Sequence, residues 1–405
     1  MPWSLADQVL SSAQNFIVGL CVARMAGVAE FGQFTLVFVI AMLAFAAQDL
    51  FLASPMMTYA GGRKRRTIAY FKAVGFLSLV LAFVAGLGAA LIIAGIEYLQ
   101  EGHLNWPLVL AGAGVTLANN QFALVKRIMF ARNMGRTAFS LTLARVFALV
   151  VLWAGAKMLG FELKAAGWLT LLALSAGVVS LHQSVGLSLA PVRLALQRAV
   201  LRRHWTYARW LLLMVLISLG QEQLIWVWVG LLQGDEAVGG MRAGYFLLGT
   251  AHVVLLGMHN FIAREAAEAY SAGGHRGLAA YLVRQTAMLG LMVGSLLVVL
   301  ALFAEFWMGL IFGGNYADNA GTLRAYCLIY AAIFVREVWV IYLRTLEMTR
   351  PIFMAFAISS TFAFIVGYPA ILYAGVPGAL AVVLTSHLIA LAFVMIAIRK
   401  ARAGA

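Results

Sequence analysis

Charged and amide side chains that interrupt long apolar segments are the first candidates for chemistry in this sequence. An ionisable group at the centre of a bilayer costs about 2.5–3.5 kcal/mol, so it normally faces a polar cavity or a partner side chain. In the first apolar segment, Asp7, Ser11 and Gln14-Asn15 recur at helical spacing, with Gln8 beside Asp7. They predict a polar helix face that either bonds to other helices or lines a substrate path.

Three other apolar segments carry polar groups of the same kind. Asp49 lies deep in the second segment, Gln221 and Glu222 lie about halfway along the seventh, and Arg336 and Glu337 lie within the tenth. Such a carboxylate either carries a proton or ion, or neutralises a nearby arginine. Adjacent helical residues point about 100° apart, so we expect Arg336 and Glu337 to have different partners. The residues predicted to line a lumen or to couple to an ion are Asp7, Gln8, Asn15, Asp49, Gln221, Glu222, Arg336 and Glu337.

Three arginines are candidates for binding an anion. Arg24 ends the first apolar segment and Arg242 begins the eighth, while Arg145 lies about two turns inside the fifth. The guanidinium group donates paired hydrogen bonds that match phosphate oxygens. Arg145 could instead extend toward lipid headgroups at the membrane surface. We therefore predict a cationic substrate-binding set of Arg24, Arg242 and Arg145, with both alternatives open for Arg145.

The composition indicates that these groups lie in a membrane-spanning bundle. Hydrophobic residues make up 63% of the 405 residues and charged residues 11%, against about 25% charged in soluble domains. Runs of about 20 apolar residues are long enough to cross a bilayer as helices. The twelve predicted spans are Ser4–Ala23, Phe31–Pro55, Ala73–Ile96, Pro107–Val125, Thr137–Ala156, Ala165–Ala190, Trp210–Leu232, Gly240–Ile262, Thr286–Ala304, Leu323–Leu343, Ile352–Tyr373 and Gly378–Ile398.

The basic residues are concentrated on one side of these spans. If the N-terminus is cytoplasmic, the cytoplasmic connections and tail hold 22 of the 29 Lys and Arg residues, and the opposite connections hold three. This asymmetry predicts cytoplasmic N- and C-termini. It also explains the net charge of +14 without nucleic acid, which we do not expect as a partner. Because no connection is long enough for a soluble catalytic domain, and no nucleotide, metal or nucleophile motif is present, we expect a transporter without a cofactor rather than an enzyme.

A basic segment divides the predicted spans into two sets of six. We predict an N-terminal lobe at 1–190, a cytoplasmic linker at 191–209 and a C-terminal lobe with a short basic tail at 210–405. The turn from Gly27 to Gly32 and the turn from Gly234 to Gly239 occupy equivalent places at an offset of 207 residues. Two repeated halves with a substrate path between them are a common transporter plan.

Several motifs resemble one family of membrane transporters. The segments concerned are Ala6-Asp7-Gln8-Val9-Leu10-Ser11-Ser12-Ala13-Gln14-Asn15-Phe16, Ala23-Arg24-Met25-Ala26-Gly27, Glu30-Phe31-Gly32-Gln33-Phe34, Ser54-Pro55-Met56, Ala237-Val238-Gly239-Gly240 with Arg242-Ala243, Leu310 to Ala317, and Leu343 to Pro351. They resemble the polysaccharide-exporter branch of the multidrug/oligosaccharidyl-lipid/polysaccharide (MOP) flippase superfamily. The resemblance extends over both halves, and its motifs are mostly structural.

The resemblance implies an all-α fold of two six-helix lobes around a central cavity, as in the MOP/MATE-like proteins. It implies alternating-access transport of undecaprenyl-diphosphate-linked oligosaccharides across a bacterial inner membrane for exopolysaccharide, capsule or O-antigen synthesis. Arg24 and Arg242 would then contact the diphosphate. The implied partners are the lipid bilayer, the lipid-linked glycan, and the polysaccharide polymerase and chain-length machinery, with the protein itself a monomer. The main alternative is a multidrug cation antiporter of the same superfamily, in which Asp49 or Glu222 would form the cation site. A major facilitator transporter and a membrane glycosyltransferase, polymerase or ligase are weaker alternatives.

Overall fold

The protein is a set of long helices. The computed structural model describes the backbone of residues 2–61, 68–188 and 193–403, and the side chains in these ranges except at 2, 60, 61, 184, 187, 188, 210, 211, 213–222, 250–261, 263 and 264. The elements are α1 (Pro2–Ala26), α2 (Val28–Gln48), a π-helix (Asp49–Ala53), α3 (Ser54–Gly61), α4 (Ile68–Glu101), α5 (Trp106–Ala131), α6 (Gly135–Met158), α7 (Ala165–Ser188), α8 (Leu194–Leu247), α9 (Gly249–Leu302), α10 (Ala304–Phe312), a 3₁₀-helix (Gly314–Asn319), α11 (Ala320–Thr345) and α12 (Thr349–Ala403). The chain divides into two units, Met1–Leu216 and Ile217–Ala405.

The lengths and compositions of the helices are those of a multi-pass membrane protein. In the described part of the chain, nine helical segments are long and apolar enough to cross a bilayer. The longest, Thr349–Ala403, contains two predicted spans separated by a kink at Gly375. The predicted seventh and eighth spans fall on parts of α8 and α9 where many side chains lie outside the description. The all-α membrane fold is therefore confirmed.

In the second unit, one predicted span is interrupted and one predicted connection is helical. The eighth span was expected to run unbroken from Gly240 to Ile262, but the helix is interrupted at Leu248, where α8 ends and α9 begins. The segment from 263 to 285 was expected to connect two spans, yet α9 continues through it as helix with a kink at Gly274. Apolar positions at helical spacing, such as the buried Leu278 and Leu282, keep this segment packed and helical.

Two glycines turn the chain in the same way in the two units. Gly27 has φ 93° and ψ 178°, and Gly234 has φ 80° and ψ 177°. This backbone region is almost closed to residues with a Cβ atom. The shared geometry supports an internal repeat at the offset read from the sequence.

A proline reshapes the end of the second span. Pro55 has no N–H to donate to the Phe51 carbonyl four residues earlier, and its ring crowds that carbonyl. The helix widens into a π-helical turn over Asp49–Ala53, a distortion common at functional positions. The Phe51 carbonyl instead accepts a hydrogen bond from His204 Nδ1 at 3.1 Å. The proline thus creates the docking point for the start of α8.

Buried polar contacts fix the helices of the first unit against one another. Gln48 Nε2 donates to Ser78 Oγ at 3.1 Å and to the Asn120 carbonyl at 3.0 Å, which joins α2, α4 and α5. At the opposite end of α2, a Glu30 carboxylate oxygen accepts from the Ala165 N–H at 2.7 Å. A carboxylate at a helix N-terminus satisfies a free donor and complements the helix dipole. The Gln48 contacts thus hold α5 against α2 and α4, and the Glu30 contact holds α2 against α7.

Candidate functional site

The polar face of α1 meets a lysine inside the first unit. Lys126 Nζ lies 2.7 Å from Asp7 Oδ2 and donates to Ser11 Oγ at 3.3 Å. Thr142 Oγ1 donates to the other Asp7 oxygen at 2.5 Å. The Asp7 and Lys126 side chains are largely buried. A buried ion pair of this kind needs further hydrogen bonds to offset its desolvation, and Thr142 and Ser11 supply them.

A second cation, Arg145, lies close to Lys126 and contacts the same aromatic ring. Lys126 Nζ lies 5.3 Å from the centroid of the Phe122 ring, and the Arg145 guanidinium carbon lies 4.8 Å from it. Arg145 Nη2 also donates to Asn119 Oδ1 at 2.6 Å. The contacts of Arg145 with the ring and with the amide oxygen stabilise its charge without neutralising it. We call Asp7, Asn119, Phe122, Lys126 and Arg145 the α5 cation cluster.

The positive charge in this cluster exceeds the negative charge. Asp7 is paired with Lys126, and among the described residues no carboxylate forms an ion pair with Arg145. The Arg145 Nε group is buried and has no hydrogen-bond partner in the described part of the chain. A buried guanidinium with an unused donor can bind an oxyanion. The cluster therefore has one uncompensated cation and a free donor atom.

Helical spacing explains how three helices build the cluster. Asn119, Phe122 and Lys126 recur at intervals of three and four on α5, which places them on one face. Thr142 and Arg145 are three apart on α6, so they meet the same face one turn apart. Sequence analysis missed Lys126 and Asn119 because Lys126 was counted among the cytoplasmic loop residues. The α5 spacing was the signal that would have found them.

Asp49 also has a basic partner. Its Oδ1 lies 3.2 Å from Arg127 Nη2, and both side chains are partly exposed. Arg127 follows Lys126 on α5 but points to a different neighbour, as adjacent helical residues do. Asp49 was considered either as a carrier of a proton or ion or as the partner of an arginine. The structure shows the geometry of the second role.

The tenth predicted span contains a buried cluster in the second unit. Arg336 Nη2 donates to Glu337 Oε1 at 2.7 Å, and Arg336 Nη1 lies 2.7 Å from His387 Nδ1. Because arginine can only donate, His387 Nδ1 must accept, so the imidazole is neutral with its proton on Nε2. The Arg336 guanidinium carbon lies 4.9 Å from the Phe356 ring centroid.

The expectation of separate partners for Arg336 and Glu337 was wrong. The angle between adjacent Cβ directions does not prevent contact here, because the long arginine side chain folds back to the neighbouring carboxylate. A buried arginine that finds a carboxylate avoids the cost of an isolated charge. The same guanidinium reaches His387 as well, so it joins α11 to α12.

Arg242 lies among aromatic rings in the second unit. Its guanidinium carbon is 5.3 Å from the Tyr245 ring centroid and 5.9 Å from that of Trp226. Trp226 in turn stacks on Tyr326 at 6.5 Å. Arg24 lies exposed in the last turn of α1, in the first unit. Arg24 belongs to the first unit and Arg242 to the second, so each is described only by the contacts within its own unit.

The remaining predicted residues have different environments. Gln8 and Asn15 are exposed, whereas Asp7 and Gln14 on the same helix are buried. The side chains of Gln221 and Glu222 lie outside the described residues. In the part of the chain that is described, no group of three or more His, Cys, Asp or Glu residues could hold a metal ion.

Known structures share this arrangement of helices over nearly the whole chain. A multidrug resistance MATE family transporter of the MOP superfamily, in its inward-facing conformation, superposes with a TM-score of 0.69 at 15% identity, covering 96% of this chain and 94% of the other. The lipid II flippase MurJ, in an inward closed conformation, gives 0.68 at 11% identity, covering 98% and 87%. The chain has the fold of the MOP superfamily transporters.

A third MOP structure points to variation in binding chemistry on this fold. A MOP superfamily transporter from Pyrococcus furiosus Vc1, whose reverse polarity of the binding pocket suggests a different function, gives a TM-score of 0.59 at 14% identity, covering 98% of this chain and 92% of that one. No protein-family model and no curated protein sequence matches the chain. The fold of the chain agrees with the resemblance seen in the sequence motifs. These neighbours are transporters and a flippase.

Proposed function

We propose that the protein is a flippase that translocates undecaprenyl-diphosphate-linked oligosaccharide repeat units by alternating access. The observation that carries the proposal is the uncompensated positive charge of the α5 cation cluster, where Arg145 lies beside Lys126 without a described carboxylate partner. A lipid-linked diphosphate supplies the negative charge that such a site lacks, and the Arg145 Nε group offers it an unused donor. The similarity to a lipid II flippase supports a lipid-linked substrate.

The location of the cluster suits loading from the cytoplasm. Lys126 lies near the end of α5, and Thr142 lies near the start of α6. The positive-inside distribution of Lys and Arg assigns these helix ends to the cytoplasmic side. We therefore place the protein in a bacterial inner membrane as a monomer, with both termini cytoplasmic, supplying exopolysaccharide, capsule or O-antigen assembly. The polysaccharide polymerase and chain-length machinery are its proposed partners.

The alternative is a multidrug cation antiporter, because MATE multidrug transporters share the fold. A cationic drug needs a carboxylate that is not already neutralised. Asp7, Asp49 and Glu337 each face a lysine or arginine within ion-pair distance. The pairing of these three carboxylates favours an anionic substrate over a cationic one. Arg24 and Arg242 remain proposed diphosphate contacts, and Asp49, Arg336 and Glu337 remain proposed coupling residues.

The test is complementation of a deletion strain in the native host. The deletion strain is expected to accumulate complete lipid-linked repeat units at the inner leaflet and to lose surface polysaccharide. Loss of a charge-assisted hydrogen bond costs about 1.5–3 kcal/mol, so Arg145→Ala should lower export roughly 10- to 100-fold, and Arg145→Lys should retain more activity than Arg145→Ala. Arg324→Ala is the matched control, because Arg324 is an exposed arginine paired with Glu305.

Two outcomes would contradict the proposal. One is full export by Arg145→Ala at wild-type expression, which would show that the cluster does not bind the substrate. The other is normal surface polysaccharide in the deletion strain together with new sensitivity to cationic drugs. That second result would favour the multidrug antiporter.

A further inference from the structure

The first sixteen residues of α8 form an amphipathic helix with two distinct faces. We call residues 194–209 the linker helix. One face packs against the first unit: Val200 is buried in a cluster with Leu52 and Phe71, and Leu196 packs against that cluster. His204 on the same face bonds to the Phe51 carbonyl. The orientation of the linker helix is therefore fixed by its buried side.

A second face, beside the buried one, exposes large apolar side chains. Leu194 is 59% exposed, Leu201 43% and Trp205 54%. Their spacing of seven and four residues places them on one side of the helix. Arg198 and Arg202 are exposed and fall on this same side. We call Leu194, Arg198, Leu201, Arg202 and Trp205 the outer face of the linker helix.

A membrane surface matches both the apolar side chains and the arginines of this face. Apolar side chains interleaved with arginines, and a tryptophan among them, are typical of helices that lie at the boundary between headgroups and acyl chains. The linker helix continues without a break into the predicted seventh span, which would tether it at that boundary. Arginine matches the phosphate of a headgroup, and anionic lipid adds charge attraction.

We propose that the outer face of the linker helix binds anionic phospholipid, with Arg198 and Arg202 on the headgroup phosphates and Leu201 and Trp205 at the acyl-chain boundary. This surface is separate from the α5 cation cluster. It concerns the membrane around the protein and holds whether or not the transported substrate is a lipid-linked glycan.

The experiment measures lipid binding at one position on full-length protein. Cys21 and Cys327 are replaced by alanine, Leu201→Cys is labelled with an environment-sensitive fluorophore, and the detergent-purified protein is titrated with short-chain phosphatidylglycerol. Phosphatidylcholine of the same chain length and inorganic phosphate are titrated in parallel. The expected result is a blue shift that saturates with phosphatidylglycerol at lower concentration than with phosphatidylcholine, and no shift with phosphate.

Neutralising the arginines separates charge recognition from simple partitioning. Each basic residue near an anionic lipid surface contributes about fivefold to affinity, so Arg198→Gln/Arg202→Gln should raise the half-saturating phosphatidylglycerol concentration roughly 25-fold. Arg276→Gln/Arg284→Gln is the matched control, since these are two exposed arginines on α9. Equal responses to the two lipids, an unchanged half-saturation in the linker variant, or the same shift with phosphate alone would each overturn the proposal.

Discussion

A single histidine should make the docking of the linker helix sensitive to acid. His204 is fully buried, its Nδ1 lies 3.1 Å from the Phe51 carbonyl, and its Nε2 lies 2.9 Å from the Tyr70 hydroxyl. A carbonyl can only accept, so Nδ1 carries the proton in the neutral ring and Nε2 accepts from Tyr70. Both polar atoms of the ring are satisfied in the neutral form.

Burial lowers the pKa of His204 to about 4. The bond to the Phe51 carbonyl opposes this shift, and the positive charge of Arg203 adds to it. The groups around the ring are Tyr59, whose ring is tilted against it, Tyr70, and the neighbouring Arg203, whose guanidinium lies over Tyr59. No described carboxylate is among the causes of the shift, and of these causes the bond to the Phe51 carbonyl alone favours the protonated ring.

The sign and size of the effect follow from linkage. The folded pKa of His204 is depressed below its unfolded value of about 6.5, so the unfolded state takes up the proton first as the pH falls. The stability associated with neutral His204 is fully present above about pH 6.5 and is lost progressively toward pH 4. A pKa difference of this size corresponds to a loss of about 3 kcal/mol in the free energy of unfolding near pH 4.

The assay compares the pH dependence of wild-type protein with that of His204→Asn. Asparagine retains an amide donor for the Phe51 carbonyl but does not titrate. The free energy of unfolding is measured between pH 7.5 and pH 4, and hydrogen exchange of residues 194–209 is followed in parallel. Wild type should lose about 3 kcal/mol more than the variant across this range, with exchange rising first in the linker helix. Parallel pH curves for the two proteins would refute the reasoning.

Two further sets of substitutions test the charge pairing and the turns. Glu337→Gln should lower the free energy of unfolding by about 3–5 kcal/mol, because it leaves the buried Arg336 without its carboxylate; Arg336→Met/Glu337→Gln should restore most of the loss in a denaturation titration, and equal stability of the single variant would contradict the pairing. Gly27→Ala and Gly234→Ala should each cost about 1–3 kcal/mol, because alanine is strained at their positive φ. Similar losses at the two sites, measured by the same titration, would agree with equivalent turns, whereas a loss at only one would contradict the repeat.

Helix type and number followed from the sequence because apolar runs of bilayer length have few alternative structures. The division between two spans around Gly375 and the turns at Gly27 and Gly234 followed because glycine is the residue that tolerates positive φ. The interruption at Leu248 did not follow, since the adjacent Gly249 is a residue type that membrane-spanning helices often contain without a break. Helical continuity through the segment containing Gly274 was missed because polar and glycine residues there resemble a loop.

Individual residue pairings were much harder to predict than helices. Asp7 was identified from its position in an apolar helix, but its partner Lys126 is 119 positions away, and sequence spacing carries no information about such contacts. The π-helical turn at Asp49–Ala53 depends on Pro55 and on His204 from a distant helix. The contact of Arg336 with Glu337 depends on a side-chain conformation that backbone geometry alone does not determine.

The fold does not distinguish an anionic substrate from a cationic one. The proposed function therefore depends on the charges of the described side chains. A multidrug transporter and a lipid II flippase superpose on this chain with nearly equal TM-scores of 0.69 and 0.68, so the helix arrangement supports either function. Carboxylates on α1, the π-helical turn and α11 are each paired with a cation, whereas Arg145 and Arg242 contact an amide and aromatic rings. An amide or a ring stabilises a guanidinium but leaves its charge in place. Under the proposed function, the diphosphate would balance the charge of these described arginines, whereas a cationic drug would add to it.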